Sequence, residues 1–180
     1  MKLKKITMTV LAAAAITAVG SGTALADTAT HVAGDSYPYP VLKQGTKSEN
    51  VRALQWLLNC HGYPVGVPSH FGPSTGHQVK AYQVKFGLMP FDGNVGAYTW
   101  TSILTHSQIH YGDHSDCVKA LQVELNKFRT VDNVADLPIT GYFGPKTRAA
   151  YRKFFKDPYA PAQVVTPYAW HVLVESFPNA

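Results

Sequence analysis

Charge is scarce in this 180-residue chain: Asp, Glu, Lys and Arg together make up 15% of it. The basic residues are scattered, with no run of four. That excludes the continuous basic track with which proteins neutralise nucleic-acid phosphates. Long apolar runs are missing after the first 26 residues, so nothing later in the sequence could span a bilayer. Several catalytic signatures are missing too. There is no H-E-x-x-H, no G-x-S-x-G and no phosphate-binding loop. The eleven acidic residues sit mostly in caps and loops, and no two stand out as a general acid and base for glycoside cleavage.

What is present begins with an export signal. Lys2, Lys4 and Lys5 precede an apolar, alanine-rich run from Ile6 to Gly20, and Ala24-Leu25-Ala26 follows. That three-part layout reads as a signal peptide over residues 1–26, cleaved after Ala26. The apolar run is shorter than the roughly 20 residues of a membrane-spanning helix. Removal takes three of the sixteen basic residues and leaves thirteen against eleven acidic ones, a net charge of +2. The exported form is expected to be secreted, extracellular or wall-associated, with no nucleic-acid partner and no membrane contact. Residues 27–40 are small, polar and proline-containing, and read as a flexible leader.

Two cysteines, Cys60 and Cys117, remain in a chain that leaves the reducing cytoplasm. A disulfide is the expectation, and two buried thiols are the alternative. The bridge would close a 57-residue loop, which the chain-entropy model values at roughly 4 kcal/mol.

The organising feature is an internal duplication. Val51-Arg-Ala-Leu-Gln-Trp-Leu-Leu-Asn59 matches Val118-Lys-Ala-Leu-Gln-Val-Glu-Leu-Asn126 at an offset of 67, and Leu42-x-x-Gly45 matches Ile109-x-x-Gly112. Phe71-Gly-Pro-x-Thr75 matches Phe143-Gly-Pro-x-Thr147 at an offset of 72. Val95–Trp100 matches Val165–Trp170 at an offset of 70. Three blocks in one order mean one unit duplicated with loop insertions.

Each block reads as a helix. Val51, Leu54 and Leu58 form one apolar stripe. Thr46-x-x-Glu49 has the form of a capping box, and Asp113 is the matching cap. Gly62 suits the left-handed close of the first helix. Pro73 opens the second helix at its first position, Val79, Tyr82 and Phe86 form its stripe, and Gly87 stops it. The second copy offers Tyr151, Phe154 and Phe155, with a stop near Pro158. The third helices are short, Tyr98–Leu104 and Tyr168–Val174, the latter preceded by a Thr166-Pro167 cap. Gln55 and Gln122, at equal positions, are expected to satisfy buried backbone.

This ordered set resembles the peptidoglycan-binding domain-like family of small three-helix modules. The first copy carries Val51-x-x-Leu54-Gln55, Leu58-Asn59, Gly62-Tyr63, Phe71-Gly72, Thr75, Tyr82-Gln83, Gly87-Leu88, Asp92-Gly93-x-Val95-Gly96 and Thr99-Trp100. It departs at Ser69-His70, where the family has aspartate-glycine. The second copy keeps the turn glycine, Gly141, but has Phe154-Phe155 in place of F-Q and lacks the later D-G. The resemblance implies an all-α fold of two tandem three-helix repeats, over residues 41–106 and the more divergent 107–180. It also implies a secreted, non-catalytic protein whose partner is peptidoglycan or its stem peptides, without cofactors. Tyr63, Gln83, Asp92, Tyr98 and Trp100 are the candidate ligand-binding residues. Periodicity also fits Trp100 and Tyr82 as core, and Asp92-Gly93 as a turn.

Two other function classes fit the same sequence less well. A secreted inhibitor, or a factor that engages a cell-wall enzyme or another secreted protein, could reuse the fold. A small hydrolase could use His110-Tyr-Gly-Asp-His-Ser-Asp116 as zinc ligands, but no further ligands are recognisable and Asp113 already serves as a cap. Cys60-His61 are adjacent, but helix neighbours point apart, and a disulfide would consume the thiol.

Overall fold

The computed structural model describes residues 39–131, 136–156 and 162–175. The expected signal peptide (residues 1–26), most of the expected leader (27–40) and part of the loop after Thr130 lie outside the described residues. The order of elements is α1 (Glu49–Cys60), α2 (Pro73–Phe86), α3 (Ala97–Thr105), β1 (Ile109–His110), α4 (Asp116–Val131), α5 (Pro145–Phe155), β2 (Val164–Val165) and α6 (Pro167–Glu175). The fold is all-α, six helices among the described residues joined by extended pairings only two residues long.

The duplication in sequence is a duplication in hydrogen bonding. In the first copy Leu42 and Val95 pair as an antiparallel bridge; in the second, Ile109 pairs with Val165. Gln55 Nε2 donates to the His70 carbonyl (2.9 Å) and Thr75 Oγ1 (3.0 Å). Gln122 Nε2 does the same to the Tyr142 carbonyl (3.1 Å) and Thr147 Oγ1 (3.0 Å). Asn59 exchanges two hydrogen bonds with the backbone of Val65, and Asn126 with that of Leu137. Trp100 Nε1 donates to the Pro40 carbonyl and Trp170 Nε1 to that of Ser107, both at 2.8 Å. The glutamine, asparagine and tryptophan of each copy are needed for one reason: a buried backbone group without a partner costs about 1–3 kcal/mol.

Helix one starts later than its sequence suggests. The cap is Ser48, whose Oγ accepts from Val51 N–H, and in the second copy Ser115, which accepts from Val118 N–H. Thr46 and Asp113 instead close the preceding turn, accepting from Lys43 N–H and His110 N–H. The correction has a simple cause. Gly45 and Gly112 take φ values of +93° and +100°, so the chain is still turning where the capping box would begin. The expected stops at Gly62 and Gly87 are present, both with positive φ, and α5 ends with Lys156 in the left-handed region.

The two copies share one core. Helices α1 and α4 form its centre, with Leu54, Leu57, Leu58, Val118, Leu121 and Leu125 all essentially buried. Each such side chain contributes about 1.5–3 kcal/mol. The helices run antiparallel, as their end contacts show. Cys60 at the end of α1 bonds to Cys117 at the start of α4, with a Cα separation of 5.3 Å. At the other end Asn50 of α1 accepts a hydrogen bond from Lys127 of α4 at 2.5 Å. Asn50 corresponds to Cys117 and Lys127 to Cys60 under the 67-residue offset. A disulfide closes one end of the interface, and a polar cluster closes its counterpart. Lys127 also pairs with Glu124 and donates to the Leu173 carbonyl. Glu124 is fully buried; burial raises its carboxyl pKa and Lys127 opposes that rise.

Candidate functional site

The five sequence candidates separate on burial. Gln83 is internal. Its Nε2 donates to the Asn94 carbonyl (2.7 Å) and Thr99 Oγ1 (3.1 Å), and its Oε1 accepts from Gly93 N–H (2.9 Å). Trp100 is wholly buried, its indole N–H spent on Pro40. Neither presents an atom to a ligand; both build the frame. Asp92 is exposed, but both its oxygens accept from Asn94, at 2.8 Å each. That makes it a turn-former in the described structure. Tyr63 is half-buried, its ring edge-on to Tyr82 at 5.4 Å. Tyr98 is the most open of the five, 58% exposed near the start of α3. The five do not converge on one cleft.

An open groove of about 490 Å³ lies elsewhere on the first copy, where the chain enters α1. Lys47, Ser48 and Glu49 form one wall, and Pro68, Ser69 and His70 the other. The walls are held in register by backbone. Lys47 and His70 pair as an antiparallel bridge, and Ser48 N–H donates to the Ser69 carbonyl at 3.1 Å. Gln55 lies beneath, accepting from Ser69 N–H and donating to the His70 carbonyl. Lys47, Glu49 and His70 are exposed at the rim, and Arg52 lies 3.4 Å from Glu49. The groove therefore offers cationic, anionic and hydroxyl groups side by side.

Ser69 is the unusual member. Its φ of +59° is in the left-handed region, which disfavours any residue with a Cβ. The second copy places Gly141 at this position, with φ +77°. A Cβ built on Gly141 would come within 3.1 Å of the Ser115 carbonyl and 3.2 Å of Lys119 Cε. The first copy thus keeps a serine in a conformation its partner leaves to glycine. Strain of this kind costs on the order of 1 kcal/mol and gathers at functional positions. Ser69-His70 is the stretch where the sequence departs from the family pattern. That departure is the signal the sequence offers for this place, and a search for residues that match the pattern cannot find it.

The same place in the second copy is built differently. Lys47 and His70 correspond to His114 and Tyr142, whose rings stack with centroids 4.4 Å apart and planes 12° from parallel. The remaining residues of the candidate zinc stretch are also engaged. Asp113 accepts from His110 N–H at 2.7 Å, and Asp116 pairs with Lys119 at 2.7 Å. Among the described residues no group of three or more His, Cys, Asp and Glu could hold a metal ion. Cys60, in the disulfide, carries no thiol.

Residues 47–103 match the family described as "Putative peptidoglycan binding domain". The match spans α1 to α3 and contains the groove whole. A protein of Kitasatospora aureofaciens, described as "Uncharacterized protein in bpoA1 3'region", is 35% identical over 106 residues, covering 57% of this chain and 89% of the relative. With its three-helix frame, its motif glutamines and this match, the chain belongs to the peptidoglycan-binding domain family.

Proposed function

We propose that this is a secreted, non-catalytic cell-wall binding protein, exported by residues 1–26 and attached to peptidoglycan through its first copy. The observation that carries the reading is the open groove, within the family-matched segment, that retains Ser69 in a left-handed conformation between Lys47, Glu49 and His70. A groove with both charge signs suits the stem peptides, which carry carboxylates and amines. The second copy is then a related three-helix unit serving mainly as a packing partner, since His114 and Tyr142 stack across the matching position. Tyr63, Asp92 and Tyr98 remain proposed contacts of lower rank, because they lie apart from the groove lining.

The test is sedimentation of the disulfide-bonded mature chain with insoluble peptidoglycan. The protein is expected in the pellet at low and moderate salt, with no soluble fragments released. Protein that stays in the supernatant would sink the wall-binding reading, and released fragments would sink the non-catalytic one.

One observation favours a second reading, an interaction factor for a cell-wall enzyme or another secreted protein. Val84, Phe86, Met89 and Phe91 are all exposed in one short stretch, Met89 to 73%. Exposed apolar patches commonly mark protein contacts. Under that reading the protein fails to pellet with bare wall.

A further inference from the structure

A second cleft, of about 210 Å³, opens at the seam between the copies. Thr101, Leu104 and Thr105 of α3 face Pro167, Tyr168 and His171 of α6, and Tyr39 closes one side. Neither copy could form it alone. We propose that this seam binds one neutral pyranose ring of a glycan strand, as a site separate from the Ser69 groove.

Three features of the lining support that ligand class. The first is charge. Among the described residues the lining has no lysine, arginine, aspartate or glutamate, and the Nε2 of its imidazole, His171, lies 3.0 Å from a Glu175 oxygen. A charged peptide terminus would lose its hydration there with nothing of opposite sign in the lining to replace it. The second is the arrangement of apolar and polar groups. Tyr168 is 73% exposed at the lip, a large ring face open to solvent. Tyr39 stands edge-on to His171 at 4.5 Å. Leu104 is the buried floor, and Thr101 and Thr105 are exposed hydroxyls. An aromatic face suits the C–H face of a sugar, hydroxyls suit its O–H groups, and an apolar floor suits an acetamido methyl. The third is size. The cleft falls below the roughly 300–1,000 Å³ of pockets that enclose a whole small molecule, so it fits one ring of a polymer whose neighbours lie outside.

The proposal rests on the wall-binding reading only for the choice of a wall sugar. The mature, disulfide-bonded chain is titrated with tri-N-acetylchitotriose, a neutral soluble oligomer, while backbone amide shifts are followed by NMR. Millimolar sugar should shift the amides of Thr101, Thr105, Tyr168 and His171. Tyr168→Ala should weaken binding at least tenfold with an unchanged melting temperature, because the ring is exposed. Thr101→Val, which keeps shape and removes one hydroxyl, should weaken it less. No shifts at millimolar sugar, shifts centred on Ser69 and His70, or full binding by Tyr168→Ala would each overturn the proposal. A protein that pellets with wall yet shows no sugar shifts overturns the seam site and leaves wall binding standing. One that shows the shifts but does not pellet does the reverse.

Discussion

In the first copy a serine holds a left-handed turn beside an open, charged groove; in the second a glycine holds the same turn beneath a stacked histidine and tyrosine. The surrounding frame is the same. Gln55 and Gln122, Asn59 and Asn126, Trp100 and Trp170 make matching hydrogen bonds. The two copies share the side chains that satisfy buried backbone and differ at the surface. The difference teaches that a shared frame of buried hydrogen bonds does not carry a shared surface: the groove is open in one copy and covered by stacked rings in the other. Other contrasts follow the same division. The Gln83 clamp on Gly93 and Asn94 occupies a position that is Phe155 in the second copy. The disulfide end of the α1–α4 interface faces, at the far end, the cluster of Asn50, Glu124 and Lys127.

These contrasts can be broken one at a time. The largest effect should come from the end of the interface that is covalent. Cys117→Ser should cost about 2–5 kcal/mol in chemical denaturation, and a loss near zero would mean that the polar end suffices. Next is the clamp present only in the first copy. Gln83→Leu strands the buried Gly93 N–H, and a loss of about 1–3 kcal/mol is expected. An unchanged midpoint would mean that the loop finds another partner. Ser69→Gly, which gives the first copy the residue of the second, should raise stability by about 1 kcal/mol by removing the left-handed strain. A fall instead would show that the Ser69 side chain holds the turn together.

The smallest effect concerns pH. His61, at the end of α1, has a pKa below the ordinary 6.5, through burial first and the nearby His106 second. A lowered folded value means that the native state binds fewer protons than the unfolded chain. Its contribution is complete above about pH 6.5 and is lost as pH falls through the lowered value. Melting temperature should fall as the pH drops below about 6.5, and less steeply in His61→Asn. Equal slopes would assign that fall to other groups.

Much of the frame is legible in the sequence, because buried polar side chains and helix stripes recur at fixed offsets. Val51, Leu54 and Leu58 mark α1, Pro73 and Gly87 bracket α2, and Thr166 caps α6 through Ala169 N–H. The even cysteine count favours a disulfide over two buried thiols, and Cys60 and Cys117 are bonded. The cap at Ser48 is not legible, because Thr46 and Glu49 fit a capping box and only the backbone turn at Gly45 decides between them. The two-residue strands are too short to leave a periodic pattern. Gln83 and Trp100 stand out by their motif positions, but a motif repeats what a fold needs for burial as readily as what a ligand needs for contact. The groove was hidden for the opposite reason. Its walls join residues 47–49 to 68–70, and its distinguishing residue is a departure from pattern.

The most direct measurement is pelleting with insoluble peptidoglycan after the groove of the first copy is given the residues of the second. The variant carries Lys47→His, Ser69→Gly and His70→Tyr, and its thermal melt is recorded alongside. Loss of most pelleting, with a melt equal to or above that of the parent, is the predicted result. Pelleting as complete as the parent's would contradict the account and move the wall contact away from the Ser69 groove.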